Sequence, residues 1–239
     1  MFYITGDPHG DFRAIKRFAK AEGLTRDDVI VVLGDAGVNY FLNERDSQVK
    51  KLISTIPATL FCIHGNHEAR PQSLPHLYRE AEWHGGVVFV EDAVPNLLFA
   101  RDGEVYDLGG LKAVAIGGAY SVDKHYRLAR GWSWFPDEQP DEETKARVEA
   151  KLDSMGWEVD CVLTHTCPHR VEPVEAFIEG VDQSTVDKST ELWFDSIEAR
   201  LDYKIWYCGH WHIEKDVERF RFRFHSIEPL GEKLPKKSD

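Results

Sequence analysis

Five short apolar runs of this chain end in residues that bind metal ions: Gly6-Asp7-Pro8-His9, Gly34-Asp35, Gly65-Asn66-His67-Glu68, Thr164-His165 and Gly209-His210-Trp211-His212. No other feature constrains the fold as strongly. The ligand-type residues run from position 7 to position 212, so only a fold that gathers distant strand ends can join them. In open α/β sheets the carboxyl ends of parallel strands form such an edge, because the connecting loops converge there.

The pattern around these segments predicts that architecture. Phe2 to Thr5, Val29 to Leu33 and Leu60 to Ile63 read as buried strands, each followed at once by one of the five segments. After the first, Asp11 is the expected N-cap of a helix carrying Phe12, Ile15, Phe18 and Ala19 on one face. After the second, Val49, Leu52 and Ile53 mark another helical stripe. Strand, helix and strand in alternation predict a largely parallel sheet with helices outside. Residues 86–91, 96–100, 104–108 and 111–116 are closely spaced strand candidates, and they predict a second, mixed or antiparallel sheet. Helices are expected over 142–155 and 189–201, and strands over 159–163, 204–208 and 218–224. The whole reads as one domain over residues 1–231, followed by a polar, frayed tail at 232–239.

The residue types point to one chemistry. A two-metal hydrolytic site needs a bridging carboxylate and ions roughly 3.5–4 Å apart. Asp35 is the natural bridge. Asp7, His9 and His212 complete one ion, and Asn66, His165 and His210 the other. Oxygen and imidazole donors without thiolate suit Mn2+, Fe or Zn2+ better than Ca2+. Any one of these residues alone reads more readily as a helix cap or an ordinary hydrogen-bonded histidine. That reading gives no reason for seven such residues to stand at predicted strand ends.

In order and in kind, Asp7-x-His9, Gly34-Asp35, Gly65-Asn66-His67-Glu68, His165 and Gly209-His210-x-His212 resemble the motifs of the calcineurin-like metallophosphoesterases. The resemblance implies an α/β four-layer sandwich, two mixed β-sheets packed face to face and flanked by helices. It also implies a dinuclear centre that hydrolyses phosphate esters by in-line attack of a metal-bridging hydroxide. His67 takes the role of general acid toward the leaving oxygen. Two departures refine the expectation. Val38 stands where protein phosphatases of this superfamily carry an Asp that orients the catalytic histidine, and Asn39 offers only an amide. The pair His210 and His212 is typical of phosphodiesterase-type members. Together these favour phosphodiesters slightly, with phosphomonoesters of nucleotides or phosphoproteins as the alternative and an inactive metal-binding scaffold third.

Substrate contacts are less constrained. Lys124, His125 and Arg127 either hold substrate phosphate or lie in solvent on a short helix, and Arg70 is a similar phosphate candidate. His64 is expected to pack beside the site, Glu68 to accept hydrogen bonds in a turn, and residues 137–143 to open a solvated helix. The net charge of -12 disfavours nucleic acid and anionic membrane as partners, leaving a small phosphate ester. The N-terminus shows no signal-peptide pattern, and Cys62, Cys161, Cys167 and Cys208 form no CxxC pair. Both features predict a cytoplasmic protein with reduced thiols.

Overall fold

A computed structural model describes residues 1–232, so the tail expected to fray lies outside the described residues apart from Glu232, which sits in a turn. One sheet has seven strands in the order β13-β1-β2-β3-β6-β5-β4. These are β1 (Phe2–Thr5), β2 (Val29–Val32), β3 (Thr59–Cys62), β4 (Arg79–Trp83), β5 (Gly86–Val90), β6 (Leu97–Ala100) and β13 (Glu228–Pro229). The other has six strands in the order β11-β12-β10-β9-β8-β7. It contains β7 (Val105–Asp107), β8 (Lys112–Ile116), β9 (Cys161–Thr164), β10 (Ile205–Cys208), β11 (Lys215–Val217) and β12 (Phe220–Phe222). The central strands of each sheet run parallel, and antiparallel strands close the edges.

Alternation along the strands explains the layering. Val29 and Val31 of β2 face the second sheet and pack with Ala115, Leu163 and Tyr207. Ile30 and Val32 face the other way, into a cluster with Ile15, Ala19 and Ile53. Those three belong to α1 (Arg13–Ala21) and α2 (Glu44–Ile53). The second sheet repeats the scheme. Val114, Ile116, Val162 and Trp206 meet Val148 and Leu152 of α4 (Glu142–Ser154) and Phe194 and Ile197 of α5 (Ser189–Glu198). Helices, sheet, sheet and helices thus enclose three apolar layers, the expected four-layer sandwich. Burial on both faces is why the central strands read as unbroken apolar runs. Among the described residues no helix is long and apolar enough to cross a membrane.

Several expectations fail in instructive ways. The four middle strands do not form one sheet. β5 and β6 complete the first sheet, while β7 and β8 open the second. The chain changes sheets at residues 101–104, where the Tyr106 hydroxyl accepts from Arg101 N–H (3.0 Å) and donates to the Val87 carbonyl (2.6 Å). β4 was hidden because its residues Arg79, Glu80 and Glu82 lie on an exposed edge. Phe12, not Asp11, occupies the N-cap of α1, and the Asp11 carboxylate accepts from Arg13 N–H instead (3.1 Å). The acidic stretch 137–143 is only partly solvated: Asp141 caps α4, but Glu138 is buried.

Candidate metal centre

Register places the five segments. Thr5 pairs with Val32, and Val32 with Cys62, so β1, β2 and β3 end level and release Asp7, Asp35 and Asn66 at one edge. In the second sheet Thr164 pairs with Cys208, which sets His165 beside His210. Two hydrogen bonds join the edges across the sandwich. His165 Nδ1 lies 2.7 Å from the Leu33 carbonyl, and His210 N–H donates to Asp7 Oδ2 at 2.7 Å. The first bond needs an Nδ1 proton and leaves the Nε2 lone pair free to ligate.

The seven candidate ligands meet there. His9 and His212 bring their Nε2 atoms within 2.9 Å, and His212 Nε2 lies 3.5 Å from Asp7 Oδ2. His165 Nε2 and His210 Nδ1 both approach Asn66 Oδ1, at 2.8 and 3.1 Å. Asp35 stands between these groups. Its Oδ2 is 3.8 Å from His9 Nε2, and its Oδ1 is 3.6 Å from His165 Nε2. Potential donor atoms of Asp7, His9 and His212, and of Asp7, Asp35 and His165, lie within 4.8 Å of one another.

The backbone is bent to achieve this. His9, Asp35, His210 and His212 all have φ between 45 and 65°. For residues with a Cβ that region costs on the order of 1 kcal/mol each and persists only where the surroundings impose it. At Gly209 the constraint is space, because a Cβ there would stand 2.2 Å from Asp7 Oδ1.

Electrostatics suit a cation. Burial, reinforced by the neighbouring Asp35 charge, pushes the Asp7 carboxyl well above its usual range. Burial opposes the charge on Asp35 too, but His165, His67 and His9 outweigh it and hold that carboxyl low. Burial depresses His165 and His210, and together with His9 it lowers His212 to about 4. Neutral imidazoles are the form that ligates metal. Asp7 Oδ1 is buried and has no hydrogen-bond partner among the described residues. A divalent ion would satisfy that atom, compensate the paired carboxylates and use the converging imidazole lone pairs.

Further residues surround the cluster, of which Ser121, Glu138 and Asp123 were not singled out from the sequence. Asn66 Nδ2 donates to Ser121 Oγ (2.9 Å), which donates to Glu138 Oε2 (2.5 Å), so the Asn66 carbonyl is turned toward the histidines. Glu68 accepts from Gly65 and Gly37 N–H, both at 3.1 Å, as a turn acceptor should. His64 is buried beside the site, and neither ring nitrogen is hydrogen-bonded among the described residues. His67 donates its backbone N–H to Asp35 Oδ1 (2.8 Å) and stacks its ring on Tyr40. Val38 is buried, and Asn39 accepts from the Tyr78 hydroxyl, so neither supports His67. The carboxylate nearest to that role is Asp123, whose Oδ1 lies 4.0 Å from His67 Nε2. Arg127 Nε holds the same oxygen at 3.0 Å.

The four basic residues weighed as phosphate contacts are not among those lining the cavity at this cluster. Arg70 is buried in an ion pair with Asp102, and its Nε donates to the Asp137 carbonyl (2.6 Å). Arg127 is buried against Asp123 in α3 (Lys124–Ala129). Lys124 Nζ sits over the Trp134 ring at 3.8 Å, and His125 is exposed. Arg70 pairs with a residue far away in sequence, which no local pattern discloses, whereas Arg127 and Asp123 stand four residues apart, an i,i+4 helical spacing that the sequence does show.

A family model described as calcineurin-like phosphoesterase matches residues 1–214. Solved structures similar to the chain include the protein TT1561 of Thermus thermophilus, 15% identical, with a TM-score of 0.47 over 87% of this chain and 80% of that one. Another is a phosphopantetheinyl hydrolase from Mycobacterium tuberculosis, 16% identical, TM-score 0.48, covering 93% of this chain and 87% of that one. A protein of unknown function from Aquifex aeolicus is 12% identical, TM-score 0.34, covering 70% and 80%. No curated protein sequence matches.

Proposed function

The chain belongs to the calcineurin-like phosphoesterase family, and on that premise we propose that it hydrolyses phosphate esters at a dinuclear metal centre, with phosphodiesters favoured over monoesters. The observation that carries the reading is Asp35, with one carboxylate oxygen toward His9 and the other toward His165. Such a placement suits a carboxylate shared between two ions. Asp7, His9 and His212 would hold one ion, and Asn66, His165 and His210 the other. The donor set suits Mn2+, Fe or Zn2+. When bound, such a pair supplies an acidified water as nucleophile and neutralises charge on the phosphoryl group.

The chain's own residues do the remainder. Hydrogen bonds from His67 and His210 N–H fix the carboxylates of Asp35 and Asp7. His67 stands at the cavity wall beside Asp35 and is the proton donor for the departing oxygen. Burial holds its imidazole below the usual range, while Asp35 and Asp123 favour the protonated form. The preference for diesters rests on the His210 and His212 pair. The four buried free thiols suit a reducing compartment, and we place the protein in the cytoplasm.

The test is a Mn2+-supplemented panel of an aryl phosphomonoester, a bis-aryl diester, cyclic nucleotides, dinucleoside polyphosphates and a phosphopeptide. Faster turnover of the bis-aryl diester is expected. A preference for monoester or phosphopeptide would reverse the ordering. Metal binding without turnover of any member would leave the scaffold reading.

A further inference from the structure

The cavity beside the candidate metal centre encloses about 340 Å³, and its two sides differ in chemistry. One side carries His67 and the candidate ligands. The other is apolar, built by Phe177, Ile178, Val181 and Val186 from the connection between β9 and α5, with Val122 from the loop after β8. Trp211 links the sides. It lies between His210 and His212 in the chain, and its indole stacks on Phe177 with ring centres 5.7 Å apart and planes 29° apart. The apolar wall therefore begins next to the atoms that would hold the phosphoryl group.

Charge in the cavity is equally one-sided. Among the described lining residues, Lys188 is the one cation besides the histidines. Its Nζ is already engaged, 2.5 Å from Glu172 Oε2 and over the Phe177 ring at 4.9 Å. Asp123, Glu172 and Glu191 also line the space. A second phosphate reaching into it would find no unpaired cation among these residues, since Lys188 is held by Glu172 and Arg127 by Asp123, while an uncharged ring would meet Phe177 and Trp211. Volumes of a few hundred Å³ with mostly apolar walls are those of small-molecule sites.

We infer that this cavity receives the leaving group of the ester, and that the group is an uncharged apolar or aromatic alcohol rather than a nucleotide carrying further phosphates. The inference rests on the phosphoesterase reading for the position of the phosphoryl group, but the cavity's selectivity is measurable without turnover.

Two arms separate the claims. The first compares kcat/KM of the Mn2+-loaded protein for methyl phosphate, phenylpropyl phosphate and a propyl phosphate bearing a second terminal phosphate. Their alcohols are similarly poor leaving groups, so differences report on the cavity. The second measures calorimetric binding of ethylphosphonate and phenylbutylphosphonate, which cannot be hydrolysed at the P–C bond. The phenyl compounds should be favoured by at least about tenfold in both arms, as burial of several methylene-sized units implies. The propyl compound with the second phosphate should show no advantage over methyl phosphate. Ile178→Asp and Val186→Asp should each lower the phenyl-to-alkyl ratio about tenfold. Equal binding of the two phosphonates overturns the inference whether or not any ester is cleaved, and a higher kcat/KM for the propyl compound with two phosphates than for phenylpropyl phosphate overturns it where esters are cleaved. Selective phosphonate binding with hydrolysis of neither these monoesters nor a bis-aryl diester supports the cavity and overturns the phosphoesterase reading.

Discussion

The layer between the two sheets and the edge where their strands end are built by neighbouring residues of the same segments, yet they follow opposite rules. In the layer, Val29, Val31, Phe61, Leu163 and Ile205 are apolar, buried and in regular strands. A few residues further on, Asp7, Asp35 and His165 are polar and equally buried, and Asp35 and His210 take left-handed backbone conformations. Local preference agrees with the fold in the first region and conflicts with it in the second. Conflict of that kind persists where a site demands it and the core supplies the stability to hold it. Perturbing the layer should therefore change stability alone, and perturbing the edge should change chemistry first.

The largest effect is expected at the edge. His67→Ala should lower turnover by roughly 10²–10⁴, the usual worth of a general acid, with metal content unchanged. Turnover equal to wild type would remove His67 from the mechanism. In the layer, Ile205→Ala at the far end of β10 should destabilise by about 2–5 kcal/mol in denaturant unfolding. Its activity per folded molecule should stay constant, and a loss of activity at full folding would blur the division.

Glu191, on α5 outside the second sheet and in the cavity wall, sharpens the contrast. Burial raises its carboxyl to about 7. Because the folded value lies above the unfolded one, its contribution is fully present below about pH 4.5 and is lost as pH rises through about 7. Glu191→Gln should remove up to about 3 kcal/mol of stability loss between pH 4.5 and 8, read from unfolding midpoints at both pH values. An unchanged pH slope would show that Glu191 does not titrate with folding. The smallest effect belongs to Gly209→Ala, whose methyl group would crowd Asp7 Oδ1. Metal affinity should fall roughly 10–100-fold, as when a ligand's supporting contacts are disturbed, with only a small change in unfolding midpoint.

The same contrast explains what could be read from sequence. The apolar runs of β1, β2 and β3 were legible because burial on both faces leaves no polar residue to interrupt them. The seven ligand candidates could be picked out because imidazole, carboxylate and carboxamide groups recur at the predicted strand ends, and the register of the strands brings them to one edge. The division of the four middle strands was not, since the switch at 101–104 depends on Tyr106 reaching back to Val87. Asp123 was invisible as a neighbour of His67 because the two approach only through tertiary folding. Arg70 looked available for phosphate because sequence does not show that Asp102 neutralises it. The apolar cavity wall comes from an irregular connection with no repeating pattern to announce it.

We propose that the five strand ends build one two-ion hydrolytic centre. Metal content at saturating Mn2+, measured together with ester turnover for wild type and Asp35→Ala, tests it most directly. Wild type should bind two ions per chain, lose activity on chelation and regain it on reloading. Asp35→Ala should lose the paired occupancy and more than about a hundredfold in turnover. Two ions retained in the variant with full turnover, or wild-type turnover indifferent to chelation, would contradict the account.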